Sequence, residues 1–325
     1  MEARLGRYIL YRLAQVIPLV FGVIVVTFLI IHLAPGDPVL ALVGNFPAPE
    51  EYVTRLRQDL GLDKSLPVQL LHYLRKVAQG DLGYSFAQRR PVLNIIFERM
   101  GATLLLAGTA WLLAAVLGVA MGILSSLRQY SLVDHATTVA ALIGFSVPVF
   151  WLGQLLMLIF SVGLGWLPPQ GMQSIREEYT GLRYYLDIGA HLILPALALS
   201  TRFLAINARL TRSSMLDALG REFITTARAK GLPELRVILH HGLRNALLPV
   251  VTVMGLNVGF LFAGSALVET VFGWPGVGRL LFDSISTRDY PILLGIFVVV
   301  ALAVIIANLL TDLAYAVLDP RIRYK

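Results

Sequence analysis

Residues 100–127 read MGATLLLAGTAWLLAAVLGVAMGILSSL, a run of 28 amino acids without a formal charge. An α-helix rises about 1.5 Å per residue and the hydrocarbon core of a bilayer is about 30 Å thick, so about 20 apolar residues cross it. The run therefore predicts a membrane-spanning helix. The composition of the whole chain agrees, because 57% of its 325 residues are hydrophobic and only 14% are charged, against about 25% in soluble domains.

Similar uncharged runs recur on both sides of this stretch and predict an all-α, polytopic membrane protein. The fourth run is the least apolar, because it contains Arg202. A charged side chain at mid-bilayer costs about 2.5–3.5 kcal/mol, so Arg202 should lie near an interface or face a wet bundle interior. The six predicted transmembrane helices lie at 12–33, 102–124, 136–164, 188–210, 245–268 and 291–313.

The distribution of charge predicts the orientation of these helices. An even number of spans places both termini on one side, where the connecting segments hold 14 Lys and Arg residues. The opposite segments hold 12, mostly in one long loop, together with 13 acids. Cytoplasmic segments carry an excess of Lys and Arg, and long loops count little, so both termini are predicted to be cytoplasmic. This bias also explains the net charge of +7 without a nucleic-acid partner.

The segment between the first two spans, residues 35–101, is too long for a simple connection. Pro49-Glu50-Glu51 can begin a helix that stops at Gly61, and Pro67 can begin a second helix that ends near Gly80. We therefore predict an extracytoplasmic helical cap at 35–101. It lies between the N-terminal segment with the first span, 1–34, and a transmembrane core, 102–325. Its apolar stripes are as consistent with mutual packing as with contact to a ligand.

The segment between the fourth and fifth spans, residues 211–243, has regularly spaced helix breaks. A helix that continues the fourth span should end at Gly220, and a short helix from Arg221 to Lys230 should end at Gly231-Leu232-Pro233. A Gly just past a helix takes the left-handed cap, and a Pro shortly after it cannot extend the helix. The pattern predicts a short helix held across the membrane surface.

Small residues and two cations alternate along this short helix, in the run Thr225-Thr226-Ala227-Arg228-Ala229-Lys230. A basic loop resting on anionic lipid is one interpretation, since each Lys or Arg near the surface would favour it by about 1 kcal/mol. The run contains no large apolar anchor, however. Such a face is better suited to docking into a protein cleft.

Motifs for nucleotide, metal and nucleophilic chemistry are missing from the sequence. No Lys follows a Gly, so there is no Walker loop to bind phosphates, and the six His residues never form His-Glu-x-x-His. The absence of Cys excludes a thiolate zinc site, an iron–sulfur cluster and a Cys nucleophile. We therefore predict no catalytic residue, metal or cofactor in this chain. An intramembrane enzyme is the remote alternative, and it would need a convergent acid–base or metal set that no span supplies.

Polar residues are rare inside the predicted spans. Buried amides usually bond neighbouring helices and contribute roughly 0.6 kcal/mol each, which is one explanation for them. The other is the polar wall of a solute path, in which a proline would loosen the backbone for alternating openings, although a static bundle tolerates the same proline. The candidate path residues are Ser146, Pro148, Gln154, Asn257 and Asn308.

Motifs from one end of the chain to the other are similar to those of a single family. The strongest are Thr226-Ala-Arg-Ala-Lys-Gly-Leu232 and Leu243-Arg-Asn-Ala-Leu-Leu-Pro249. Further matches are Pro35-Gly36-Asp37-Pro38, Leu60-Gly61-Leu62-Asp63, Gly80-Asp81-Leu82-Gly83, the run from Glu269 to Gly278, Arg288-Asp289-Tyr290-Pro291 and the ending from Asp319 to Tyr324. The sequence resembles the permease subunits of binding-protein-dependent ABC importers of the dipeptide and oligopeptide family.

The resemblance implies a division of labour among several subunits. This chain would be a non-catalytic, multi-pass subunit in the bacterial cytoplasmic (inner) membrane, paired with a second homologous permease subunit. Two ATP-binding subunits would bind ATP and Mg and dock on the loop 211–243, and an extracytoplasmic substrate-binding protein would deliver the solute. The ATPase-coupling residues that it implies are Glu222, Thr225, Thr226, Ala227, Arg228, Ala229, Lys230 and Gly231.

The coupling loop departs from the broader permease signature, in which Glu-Ala-Ala precedes the loop glycine. Those places hold Thr225, Thr226 and Ala227, which leaves Glu222 as the nearest carboxylate. The implied function is ATP-driven import of a di- or oligopeptide by alternating access. Similar permeases carry glutathione, nickel chelates or opines, so these solutes stay open. A channel or scaffold that works without ATPases is the alternative from another class.

Overall fold

The computed structural model describes residues 2–33, 39, 49–59, 61–175 and 177–318. The described chain contains one two-stranded hairpin, in which β1 (Tyr84–Ser85) pairs antiparallel with β2 (Arg90–Pro91). Its helices are α1 (Glu2–Leu33), α2 (Glu50–Asp59), α3 (Leu66–Ala78), α4 (Val92–Leu127), α5 (Leu132–Ser146), α6 (Val149–Gly163), α7 (Leu182–Leu219), α8 (Glu222–Ala229), α9 (Glu234–Leu256), α10 (Val258–Val271), α11 (Val277–Thr287) and α12 (Tyr290–Leu318). Two stretches of these helices are π-helical, Met157–Gly163 and Val237–Leu243.

Five of the described helices are long and apolar enough to cross a membrane. They are Gln15–Leu33 of α1, α4, α7, α9 and Tyr290–Leu309 of α12. The pair α5 and α6 is a sixth candidate only if the two helices count together, because they are bent by 108° at the break between them. The predicted all-α membrane protein is therefore confirmed, with five or six apolar spans.

The third predicted span, 136–164, is wrong as one continuous helix. Helix α5 ends at Ser146, and Val147 adopts an extended backbone with φ −77° and ψ 128°. The reason is Pro148, since a proline lacks the N–H that would continue the helix and disfavours a helical conformation in the residue before it. Pro195, by contrast, lies inside α7 without ending it.

The fifth predicted span, 245–268, is also interrupted. Asn257 separates α9 from α10 with φ −79° and ψ −9°. The N–H of Asn257 still donates to the carbonyl oxygen of Val253 at 3.0 Å, so the interruption is a departure of a single residue from helical dihedral angles. At its other end the span continues back to Glu234, before the predicted start at residue 245.

One compact unit comprises residues 2–101 and 276–305 of the described chain. Its core contains Ile24 of α1, Val92 and Ile96 of α4, Leu280 of α11 and Ile292 of α12, all buried. Helix α3 contacts α1.

The two short helices of this unit form where the sequence predicts them. Helix α2 runs to Asp59 and α3 to Ala78, and the glycines that follow, Gly61 and Gly80, have φ +68° and +79°. Pro35 to Pro38 and Leu60 belong to the predicted cap but lie outside the described residues.

The second unit comprises residues 102–275 and the described residues from 306 on, and α7 is its central helix. Helix α7 contacts α5, α6, α9 and α10. The core around it includes Leu106, Leu194, Phe203, Phe272 and Trp274, all buried. These contacts hold α7 in place, and the predicted docking loop, residues 211–243, begins near the C-terminal end of this helix.

Candidate functional site

The predicted docking loop, residues 211–243, contains the short helix α8, which lies between the end of α7 and the start of α9. Helix α7 ends at Leu219, and its C-cap residue Gly220 stays right-handed with φ −82°. The predicted interruption at Gly220 is confirmed, although this glycine does not adopt the left-handed cap that follows α8. Arg221 adopts an extended backbone, and α8 begins at Glu222. A carboxylate in the first turn is favourable there, because it interacts with the positive end of the helix dipole.

The C-terminal end of α8 is fixed by a Schellman motif. Gly231 has φ +72°, and its N–H donates to the carbonyl oxygen of Arg228 at 2.9 Å. The N–H of Leu232 donates to the carbonyl oxygen of Ala227 at 3.4 Å. These bonds satisfy carbonyls that the end of a helix leaves free, and glycine adopts the left-handed conformation without a Cβ penalty. The predicted left-handed cap at Gly231 is confirmed.

Helix α8 has one buried face and one exposed face. Ile224 is fully buried, and Ala227, three residues on, is buried beside it. Both pack against Val237 of α9, with Leu219 and Leu232 partly buried around them. The helix is therefore held from behind by the end of α7, by the start of α9 and by its own cap.

Most of the predicted coupling residues lie on the exposed side of α8. Ala227 is the exception, because it is only 5% exposed and packs inside the cluster around Ile224. It shares the inner face with Ile224, since residues three apart lie on the same side of a helix. Its placement on the docking surface is corrected accordingly. The exposed residues are Glu222, Thr225, Thr226, Arg228, Ala229, Lys230 and Gly231.

Arg228 is paired with Glu234, which the sequence did not single out as a site residue. Its Nη2 lies 2.7 Å from Oε1 of Glu234 and its Nε lies 3.2 Å from Oε2. This hydrogen-bonded pair joins α8 to α9 and raises the pKa of Arg228 above its ordinary value. Both side chains are about half exposed, so the pair adds little stability but orients the guanidinium. Lys230 has no ion-pair partner in the described part of the chain.

Two apolar side chains at this surface were missed by the sequence analysis. Phe223 is 37% exposed and Leu235 is 69% exposed. The signal for the first was present, because Phe223 and Ile224 are adjacent apolar residues in a helix and consecutive side chains cannot share one face. With Ile224 turned inward, Phe223 is left on the outside, beside the polar coupling residues.

An ion pair with a buried carboxylate ties the last turns of α7 to the first turn of α5. Arg212 donates from Nε to Oδ1 of Asp134 at 2.6 Å and from Nη2 to Oδ2 at 2.7 Å. Asp134 also accepts hydrogen bonds from the Ser125 hydroxyl and from the N–H of Tyr130. The sequence gives no local signal for this pair, since its two members lie 78 positions apart. It anchors the helix that leads into α8.

The candidate path residues fall at the two helix breaks and on exposed faces. Ser146 and Pro148 flank the bend between α5 and α6, and Asn257 separates α9 from α10. Gln154 and Asn308 are exposed. The Asn257 Nδ2 is buried without a hydrogen-bond partner among the described residues. No hydrogen bond in the described chain joins two of these five side chains, so the sequence prediction of a shared path stays a prediction.

Two residues of the run from Glu269 to Gly278, Glu269 and Trp274, have a structural role within the second unit. Glu269 is fully buried and accepts a hydrogen bond from the Thr103 hydroxyl at 2.8 Å. Trp274 is also fully buried, and its indole N–H donates to the carbonyl oxygen of Ala102 at 2.8 Å. The motif therefore fixes the chain that follows α10 to the start of the apolar part of α4. Within the described residues there is no cluster of three or more side chains able to hold a metal.

Comparison with known proteins agrees with this architecture. Residues 92–324 match the family described as binding-protein-dependent transport system inner membrane component, and residues 5–107 match its N-terminal counterpart. Among solved structures, the inward-facing methionine ABC transporter MetNI superposes with a TM-score of 0.53 at 16% identity, over 70% of this chain and 97% of that one. The similarity in structure shows a shared fold.

The similarity to curated relatives covers nearly the whole chain. The dipeptide transport system permease protein DppB of Escherichia coli strain K12 is 44% identical over 336 residues, which cover 98% of this chain and 99% of the relative. The di/tripeptide permease of Pseudomonas aeruginosa strain UCBPP-PA14 is 42% identical over 332 residues, and the glutathione permease GsiC of Salmonella choleraesuis is 45% identical over 318, each with the same coverage. The chain therefore belongs to the family of binding-protein-dependent transport system inner membrane components.

Proposed function

We propose that this chain is a membrane-spanning subunit of an ATP-driven importer and that it moves a peptide-like solute into the cell by alternating access. The names of the E. coli and P. aeruginosa relatives support the dipeptide class. The glutathione permease is similar to the same degree, so glutathione is the second candidate solute.

The observation that carries the proposal is the construction of α8. Its inner face is packed through Ile224 and Ala227, its end is capped at Gly231, and its outer face is exposed. To shift a two-state bundle from 1:99 to 99:1 takes about 5.5 kcal/mol of differential binding. In a chain without a nucleotide-binding loop, that free energy has to enter through a surface on which another protein docks. A short helix fixed on three sides is suited to transmit it.

The rest of the assembly follows from this docking surface. Two ATP-binding subunits supply the ATP and Mg, and the outer face of α8, where Arg228 and Lys230 lie, is the docking surface that this chain offers them. A second homologous permease subunit completes the transmembrane pathway, and an extracytoplasmic substrate-binding protein docks on the cap formed by α2 and α3. Both termini and α8 then face the cytoplasm of a bacterial cell.

In this proposal the solute path runs past the breaks of the transmembrane helices. The bend at Pro148 and the interruption at Asn257 are points at which α5, α6, α9 and α10 can reorient without breaking regular helix. Ser146, Gln154 and Asn308 are exposed in the single chain, as expected of side chains that face a path closed by a second subunit.

The test uses the complete importer in proteoliposomes, with labelled dipeptide and labelled glutathione as solutes. The variant Arg228→Glu/Lys230→Glu should lower ATP-dependent uptake at least about tenfold while the chain still inserts, because interface anchors contribute about 2 kcal/mol or more. Arg183→Glu is the matched control, since Arg183 is exposed near the other end of α7, about 50 Å from α8 along the helix. Its uptake should be unchanged.

Two results would contradict the proposal. Normal uptake with normal solute-stimulated ATP hydrolysis in the double variant would remove α8 as the docking site. Solute flux that persists after the ATP-binding subunits are removed would favour a channel instead. Uptake of glutathione in preference to dipeptides would change the solute and leave the coupling site in place.

A further inference from the structure

A cavity of about 350 Å³ lies within the first unit, against α1, α3, the β1–β2 hairpin and the start of α12. Its volume falls in the range of about 300–1,000 Å³ that is usual for small-molecule sites. Much of the wall is aromatic. The aromatic residues apart from histidine are Phe28, Tyr73, Tyr84, Phe86 and Tyr290.

The charged side chains around the cavity are mostly cationic. Lys64, Lys76 and Arg288 line it, and Asp289 is the one carboxylate among its described lining residues. Lys76 lies 3.9 Å from Asp81, whereas neither Lys64 nor Arg288 has an ion-pair partner in the described chain. Two of the cations that line the cavity, Lys64 and Arg288, therefore form no ion pair with the described residues.

The carboxylate of Asp289 is hydrogen-bonded by groups other than these two cations. Its Oδ2 accepts a hydrogen bond from the Ser85 hydroxyl at 2.5 Å, and its Oδ1 faces the N–H of Ile292 at 3.4 Å. Burial raises the pKa of Asp289 above its ordinary value. Among the described residues, Asp289 is thus hydrogen-bonded to Ser85 and not to Lys64 or Arg288.

A hydroxyl and a strained residue add to the site. The Tyr73 hydroxyl is buried and has no hydrogen-bond partner among the described residues. Burial raises the pKa of Tyr73, so the group stays a neutral donor. Arg288 lines the cavity from a left-handed backbone with φ +54° and ψ +38°. Such a conformation is unfavourable for a side chain larger than glycine and clusters at ligand-binding sites.

We propose that this cavity binds the C-terminal carboxylate of a short peptide. Lys64, Arg288 and the Tyr73 hydroxyl hold the carboxylate, and the aromatic wall covers the side chain next to it. A guanidinium matches a carboxylate with two parallel hydrogen bonds, and a buried hydroxyl without a partner gains one. The inference rests on the proposed import of peptides and adds a solute site on the unit that contains the cap.

The test measures equilibrium binding to the full-length chain in lipid nanodiscs without the binding protein. The probes are L-alanyl-L-phenylalanine and its C-terminal amide, which differ only in the carboxylate. The acid should bind at least about tenfold more tightly, because charge-assisted hydrogen bonds are lost in the amide. Lys64→Gln and Tyr73→Phe should each weaken binding of the acid about threefold or more without affecting the amide. Arg75→Gln is the control, since Arg75 is exposed next to Lys76 and does not line the cavity.

The outcomes separate this inference from the proposed function. Equal binding of acid and amide, no saturable binding at millimolar peptide, or variants that bind as the native chain does would each overturn the cavity site. If the complete importer takes up the dipeptide while any of these results holds, the proposed function stands and only the cavity site falls. An importer that takes up no peptide would overturn the proposed function, whatever the isolated chain binds.

Discussion

Two arginines of this chain bind carboxylates in the same two-point geometry but in different surroundings. In the pair of Arg212 with Asp134 the side chains are 27% and 4% exposed, whereas in the pair of Arg228 with Glu234 they are 49% and 54% exposed. Removal of one member of a buried pair typically costs 3–5 kcal/mol because the other charge is left unpaired, and an exposed pair contributes about 0–1 kcal/mol. The same chemistry therefore predicts different effects at the two positions.

We expect Arg212→Met to lower the thermal unfolding midpoint of the purified chain by several degrees and Arg228→Met to leave it nearly unchanged. The measurement is thermal unfolding in detergent, with both variants at equal protein concentration. Asp134→Asn should behave like Arg212→Met, because either change breaks the same pair. Similar midpoints for the two arginine variants would show that the pair at Asp134 is not a structural anchor.

Gly220 and Gly231 flank α8, and their backbone conformations predict opposite effects of an alanine substitution. Gly231 has φ +72° with nothing within 4 Å of an added Cβ, so Ala there would be strained without a clash. Gly220 is right-handed, and an added Cβ would lie 3.5 Å from the carbonyl oxygen of Leu216, an ordinary contact. A non-glycine residue forced into the left-handed region costs of order 1–3 kcal/mol.

Gly231→Ala should therefore loosen the end of α8 and reduce uptake per ATP hydrolysed, while Gly220→Ala should transport normally. Uptake and ATP hydrolysis measured together in proteoliposomes compare the two variants. Limited proteolysis of the segment 211–243 gives an independent measure of the loosened cap. A Gly231→Ala importer with native coupling, or a damaged Gly220→Ala importer, would contradict the role assigned to the Schellman motif.

At the scale of elements, the approach of α4 to α7 depends on two glycines one turn apart. A Cβ added at Gly118 would lie 2.8 Å from the Cβ of Asn207, and one added at Gly122 would lie 2.5 Å from the Cβ of Thr211. Asn207 also donates to the carbonyl oxygen of Ala114 at 3.0 Å. Small residues at this spacing allow membrane helices to pack closely.

We expect Gly118→Ala and Gly122→Ala each to destabilise the chain by about 1–3 kcal/mol, the usual cost of overpacking. Gly108→Ala, in the same helix, is the control, because nothing lies within 4 Å of the Cβ that it would add. Expression level and unfolding midpoint in detergent are the readouts. If Gly108→Ala is as damaging as the other two, the effect belongs to the helix backbone and not to the contact with α7.

The helix breaks show why elements can be predicted better than their interruptions. Pro148 and Pro195 both lie in predicted spans, but only the first ends a helix. Pro195 is surrounded by the buried residues Leu194, Ala196 and Ala198 in the most heavily packed helix of its unit. Tertiary contacts there hold the helix across the lost hydrogen bond, and no local pattern reports them. The left-handed conformation of Gly231 could be predicted because it depends only on the residues next to it in the chain.

At the scale of the whole molecule, the apolar spans and the family motifs were predictable, and the long-range pairs were not. The hydrogen bond between Thr103 and Glu269 joins residues 166 positions apart, and that between Ser85 and Asp289 joins residues 204 positions apart. Neither pair leaves a periodic trace in the sequence. Residues 276–305 join the first unit for the same kind of reason, through core contacts such as those of Leu280 and Ile292.

The orientation of the chain in the membrane is a property of the whole molecule, and the absence of Cys makes it measurable. Gln79 follows α3 and is exposed, and Leu235 in the coupling segment is 69% exposed. Because cytoplasmic segments hold the excess of Lys and Arg, the charge distribution predicts Gln79 outside and Leu235 inside. A single introduced cysteine at either position is then the sole target for a thiol reagent.

We expect a membrane-impermeant maleimide to label Gln79→Cys in right-side-out vesicles and Leu235→Cys only in inverted vesicles. The native chain gives the background, and labelling of both variants in detergent shows that each thiol is reactive. Labelling of Leu235→Cys from the outside would place α8 away from the ATP supply, and no ATP-binding subunit could then drive the bundle through it. Because α8 and the cap are assigned to opposite faces by one charge argument, that result would also remove the cap from the side on which a binding protein delivers solute.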